Sequence, residues 1–133
     1  MAKKIVIVGA LGYLGTELCK LYSGESWFHN IIALDSRFVS KRVNQLKDWN
    51  IRFYQGEILD EGFLQKHLKD ADVVHHLAGV TDVAYVKKET DPGQDENIKK
   101  IAIEGTNNVL KAISEKCKII FPSTHVIFEG FRA

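Results

Sequence analysis

With 133 residues, 45% of them hydrophobic and 26% charged, the chain is long enough for one domain with a true core and too short for two, and it carries no Pro-rich, Ser-rich or repetitive segment. Its formal net charge of +1, with acidic and basic residues interspersed, creates no field that would select nucleic acid or an anionic membrane. No stretch approaches the roughly 18 apolar residues of a membrane span, and the short apolar run after Lys4 is not a signal peptide, so the expected location is cytoplasmic.

Ile5 to Val8 is a wholly apolar, β-branched run, the composition of a strand buried on both faces. From Tyr13 to Tyr22 the period changes: Leu14, Leu18 and Leu21 share one helical face, with Glu17 and Lys20 on another. A second strand follows at Asn30 to Leu34, a polar helix-compatible stretch at Val39 to Lys47, and a third strand at Ile51 to Tyr54. Glu61 to Lys69 reads as a short amphipathic helix with Asp60 as its N-cap, and Asp72 to Leu77 as a fourth strand. Turn residues fill Ala78 to Gly93. A long helix then spans about residues 94–116, and a last strand runs from Lys118 to Phe121, stopped by Pro122. Short strands alternating with helices predict an α/β fold, a doubly wound parallel sheet of the Rossmann type; the strand order 3-2-1-4-5 is taken by analogy with that type.

Between the first strand and the first helix stands "GALGYLG", with Gly9, Gly12 and Gly15 three apart. In such a turn the first glycine permits the tight backbone path, the second removes a side chain where a pyrophosphate must approach, and the third lets helix and strand pack closely. The helix N-terminus, at Tyr13 and Leu14, offers free amides and the positive end of the helix dipole to phosphates. Asp35 lies about 20 residues beyond Gly15 at the end of the second strand, where a carboxylate can accept hydrogen bonds from both hydroxyls of an adenosine ribose and repel a 2′-phosphate. That favours NAD over NADP. Ser36 and Arg37 adjoin it and are assigned to the same subsite. Arg37, Lys41 and Arg42 either pair with a 2′-phosphate or are solvated loop and helix charges, and the second is the simpler reading.

These residues and the motifs that follow resemble the extended short-chain dehydrogenase/reductases, the NAD-dependent epimerase/dehydratase group that works largely on nucleotide sugars. "GALGYLG" is similar to that family's GxxGxxG, "ALDS" to its ribose-binding strand end, "GEILD" to its GDxxD, "DVVHHLAG" to its DVVxHLAA, "EGTNNVLKA" to its xGTxNxLEA and "IIFPSTHVIF" to its xxxxSSxxVY. The resemblance runs through the whole chain. It implies that Glu57 and Ile58 line an adenine pocket, that Leu77, Ala78 and Gly79 form the wall beside the cofactor, and that Thr124 is the catalytic hydroxyl on the substrate oxygen. It also implies that the long helix takes part in a dimeric four-helix bundle. With that helix's apolar face at Ile98, Ile101, Val109 and Ile113 partly uncovered, a homo-oligomer is expected.

Three departures qualify the resemblance. Ala102 stands where the family often has Asn, Glu129 where the strand motif ends in Gly, and no tyrosine is followed by lysine four residues on, so the family's YxxxK acid/base pair is not among these residues. The expectation is a dinucleotide-binding unit over residues 1–133, the C-terminally truncated cofactor half of an epimerase- or dehydratase-like oxidoreductase, inactive as it stands. The alternative is a stand-alone NAD(P)-binding or sensing module without catalysis. A flavodoxin-like domain with no dinucleotide site is a poor third. No metal site is expected: His75 and His76 alternate across a strand and read as buried core histidines, and Cys19 and Cys117, far apart, read as small core residues.

Overall fold

The computed structural model describes residues 2–78 and 92–121. In chain order it forms β1 (Lys4–Val8), α1 (Tyr13–Tyr22), β2 (Asn30–Asp35), α2 (Ser40–Asp48), β3 (Arg52–Gln55), α3 (Glu61–Leu68), β4 (Val73–His76), α4 (Pro92–Ala112) and β5 (Lys118–Ile120). The five strands make one parallel sheet in the order β3-β2-β1-β4-β5, as expected. β1 lies at its centre, with Val6 opposite Ile32 on one side and Val74 on the other.

The apolar runs of β1 and β2 are explained by their position, since both faces of the sheet are covered. Val6, Val8, Ile32, Leu34 and Val74 meet Leu64 and Leu68 of α3 and Val109 and Ala112 of α4. Ile5, Ile7, Ile31 and Ala33 meet Cys19 of α1 and Leu46 of α2 on the opposite face. Burial pushes the Cys19 thiol up to about 12, which keeps it a neutral core group. Cys117 is only half-buried, at the edge of the other layer.

Helix ends follow local chemistry. Asp60 caps α3 by accepting the Phe63 N–H at 3.1 Å. α2 ends in a left-handed residue, Asn50 at φ 58°, whose amide side chain donates to Ser26 O at 3.0 Å. α4 begins at Pro92 and stops at Ala112, short of the expected 116. Ser114, Glu115 and Lys116 are exposed and bury nothing, and a Cys117 N–H to Ser114 O bond of 3.1 Å turns the chain toward β5. Of the face expected to be partly uncovered, Val109 is fully buried and Ile101 and Ile113 are half-buried, while among the described side chains of α4 the exposed large apolar ones are Ile103 and Leu110. The side chain of Ile98 lies outside the described residues.

His75 and His76 face opposite layers. His75 Nε2 lies 2.7 Å from the Tyr22 phenol under α1, and His76 Nε2 lies 2.9 Å from Thr106 Oγ1 under α4. Burial lowers the pKa of both rings, and that of His67 on α3, below the ordinary 6.5. The unfolded chain therefore binds protons near pH 6.5 that the folded chain refuses until lower pH, so the stability these neutral rings preserve above 6.5 is lost on acidification. The urea midpoint is expected to fall between about pH 7.5 and pH 5.5, and a flat profile would contradict it.

Candidate functional site

In a doubly wound sheet the crossovers diverge where the strand order reverses, leaving a crevice at the carboxyl ends of the two strands concerned. Here those strands are β1 and β4, and the glycine turn sits between them. Gly9 has φ +87°, and a Cβ on it would lie 2.6 Å from Ala78 N and 2.9 Å from Leu77 C. The turn is stitched to the sheet by Gly9 N–H and Ala10 N–H, both donating to Leu34 O at 2.8 and 3.0 Å.

The three glycines do three different things. Gly9 is required by conformation and by contact with the β4 end. Gly15 is required by packing, because a Cβ there would meet Gly9 O at 2.4 Å and Ala10 Cα at 2.7 Å. Gly12 is required by neither: its φ of −71° and ψ of 173° suit any residue, and a Cβ would meet nothing closer than Arg37 Nη2 at 3.4 Å. The space a side chain would take at Gly12 belongs to a cavity. α1 opens there with no side-chain cap and no acidic residue in its first turn.

That cavity, about 380 Å³, falls within the usual range for small-molecule sites. It is lined by Gly9 and Gly12 from the turn, Asp35, Ser36 and Arg37 from the end of β2, Glu57 and Ile58 from the loop after β3, and Leu77 and Ala78 from the end of β4. Four segments far apart in sequence thus converge on one space. Tyr13 and Leu14, next in the chain after Gly12, are 84% and 48% exposed and outside the lining, and Gly15 packs against Gly9 O and Ala10, away from the cavity. Gly79 and Thr124 lie outside the described residues.

Asp35 is buried, and its carboxylate is held from several directions. Oδ2 accepts the Leu11 N–H at 2.8 Å and Oδ1 the Arg37 N–H at 2.9 Å. Arg37 is exposed, as the simpler reading expected, and also pairs with this carboxylate: its Nε and Nη2 donate to Oδ1 and Oδ2 at 3.2 and 3.3 Å. Arg42 likewise folds back, donating from Nη1 to Leu11 O, while Lys41 is exposed as expected. The Asp35 carboxylate holds Arg37 in the loop after β2, and the Leu11 carbonyl draws in Arg42 from α2.

Sequence reasoning missed the far wall. Phe63 packs its ring on Gly56, where a Cβ would lie 2.4 Å from the ring, and Ile101 of α4 completes the lining. Ile58 is seated in a notch over Gly105, whose missing Cβ would lie 2.0 Å from Ile58 Cδ1, and Asn108 Nδ2 donates to Ile58 O at 3.1 Å. The "EGTNNVLKA" segment therefore holds the loop after β3. Asn108→Ala is expected to cost about 1 kcal/mol, read from the urea midpoint; an unchanged midpoint would show the contact to be idle. Among the described residues no group of three or more His, Cys, Asp and Glu is placed to hold a metal.

The sequence profile of the 3-beta hydroxysteroid dehydrogenase/isomerase family matches residues 6–133. The chain belongs to that family. It is 29% identical over 134 residues to the dTDP-D-glucose 4,6-dehydratase of Dictyostelium discoideum, a match covering 95% of this chain and 30% of that protein. It is 26% identical over 130 residues to the UDP-N-acetyl-alpha-D-glucosaminuronate decarboxylase of Bacillus cytotoxicus, covering 96% and 38% respectively. Among solved structures it is similar to UDP-glucose-4-epimerase from Stenotrophomonas maltophila, determined with bound NAD and formylated UDP-arabinopyranose, at TM-score 0.71 and 20% identity over 95% of this chain and 38% of that one. The chain spans about a third of the length of these proteins.

Proposed function

We propose that the chain is the nicotinamide dinucleotide-binding unit, residues 1–133, of a nucleotide-sugar epimerase- or dehydratase-like oxidoreductase, binding NAD ahead of NADP. The observation that carries this reading is the convergence on one cavity of a buried strand-end carboxylate, Asp35, and a helix N-terminus left uncapped beside Gly12. Asp35 would take the adenosine ribose, the amides of Tyr13 and Leu14 the pyrophosphate, Glu57 and Ile58 the adenine, and Leu77, Ala78 and Gly79 would form the wall beside the cofactor. Gly15 would act by packing. The bound nucleotide would supply hydride transfer, and Thr124 would hold the substrate oxygen. Without a YxxxK among its 133 residues the chain on its own is expected to bind and not to turn over.

The test is a calorimetric titration with NAD for the wild type and Gly12→Val. Gly12 tolerates a side chain conformationally, so this variant keeps the fold and fills the cavity. Saturable NAD binding that the variant lacks supports the reading. Equal binding by both, or none by the folded wild type, sinks it.

We assign the chain to the cytoplasm, and among the described residues no helix is long and apolar enough to cross a membrane. Self-association is assigned to α4, where Ile103 and Leu110, two turns apart, are 63% and 46% exposed. A purely monomeric mass in sedimentation at high concentration would count against it.

A further inference from the structure

His76 is 3% exposed, and the two nitrogens of its ring fare differently: Nε2 lies 2.9 Å from Thr106 Oγ1, whereas Nδ1 has no hydrogen-bond partner among the described residues. Its surroundings are apolar, with Val8 beside it in the sheet and the Phe121 ring edge-on, the centroids 5.4 Å apart. An imidazole nitrogen buried without a partner costs stability that an apolar side chain in the same place would not, so packing does not account for a histidine here. What Nε2 holds does. An unpaired buried N–H is a heavier cost than a bare lone pair, which puts the ring proton on Nε2 as a donor to the Thr106 hydroxyl.

That bond joins two walls of the cavity. His76 immediately precedes Leu77 and Ala78, which line it, and the strand end there is pinned by the Leu77 N–H to Val8 O bond of 2.8 Å. Thr106 immediately follows Gly105, the seat of Ile58, on the helix that also supplies Ile101 to the lining. α4 therefore has a polar tie to each wall, Thr106 to His76 and Asn108 to Ile58 O at 3.1 Å. The contacts of Val109 and Ala112 on the sheet side are apolar and non-directional, whereas a hydrogen bond sets both a distance and a direction.

We propose that His76 and Thr106 are positioning residues for the ligand site: a neutral His76, with its proton on Nε2, ties α4 to the end of β4 and so fixes the width of the cavity between Leu77 and Ala78 on one wall and Ile58 and Ile101 on the other. This rests on the dinucleotide reading above for the identity of the ligand. Neither side chain lines the cavity, and both act through the residues beside them.

The test is a calorimetric titration with NAD of the wild type, Thr106→Val and Thr106→Ser, with urea midpoints for all three and a nitrogen NMR spectrum of the His76 ring. Thr106→Val keeps the shape of the side chain without its hydroxyl and is expected to bind NAD about tenfold more weakly, while Thr106→Ser restores the hydroxyl and should bind within about threefold of the wild type. His76→Leu and His76→Gln repeat the comparison from the strand and decide it if Thr106→Val does not fold. The first removes the donor and should lose about tenfold; the second places an amide near the position of Nε2 and should stay within about threefold. NAD affinity unchanged in folded Thr106→Val or His76→Leu, whatever the midpoint, or a ring proton found on Nδ1, overturns the tie and leaves the dinucleotide reading standing. A folded wild type that binds no NAD overturns both.

Discussion

Gly9→Ala is expected to cost the fold about 3 kcal/mol or more. Two mechanisms add. At φ +87° an alanine sits in the left-handed region, which disfavours a Cβ by roughly 1–2 kcal/mol, and that Cβ would lie 2.6 Å from a backbone nitrogen, Ala78 N, which has no side-chain freedom to move aside. Relief would require separating the turn from the end of β4, breaking the Leu77 N–H to Val8 O bond of 2.8 Å that extends the sheet beneath the cavity. Gly12→Ala supplies the internal control, because neither mechanism operates there. Urea denaturation of the two variants should separate them by at least about 2 kcal/mol, and equal midpoints would refute this account of the turn.

Asp35→Ala is expected to lower NAD affinity by at least about a hundredfold, because two hydrogen bonds to a charged acceptor are lost together. It should also destabilise the chain by about 1–3 kcal/mol, since the Leu11 N–H, in a residue 1% exposed, loses its acceptor. Asp35→Asn separates the two effects. Its carbonyl can still accept from one backbone N–H, so part of the stability returns, while the charge proposed to hold the ribose does not. NAD binding that survives Asp35→Ala within about threefold would mean that the ribose is held elsewhere.

The sheet and the cavity were legible in the sequence to different depths. β1 and β2 announce themselves because strands sealed on both faces must be largely apolar, and α1 because its period changes at Tyr13. Asp60 was readable as a cap because capping is local. What could not be read was what long-range packing decides: Gly56 under the Phe63 ring, Ile58 in the notch over Gly105, and Asn108 on Ile58 O, a contact between residues 50 apart. Arg37 and Arg42 escaped for a related reason. A cation in a polar segment looks the same whether it faces water or folds back, and only the carboxylate and carbonyl placed next to it in space decide.

The central position of β1 also sets a timetable. Its first neighbour, β2, follows closely, but its second is β4, and the Lys4 N–H to Asp72 carboxylate bond that fastens their start joins residues 68 apart. At the pace of ribosomal synthesis that separation corresponds to about 3–14 s. Through that interval Ile5, Val6, Ile7 and Val8, among the most deeply buried residues of the finished molecule, have one open edge and no α3 or α4 above them. A nascent chain of this design depends on being shielded as it emerges, so its yield in a cell should respond to elongation rate more strongly than its equilibrium stability would indicate.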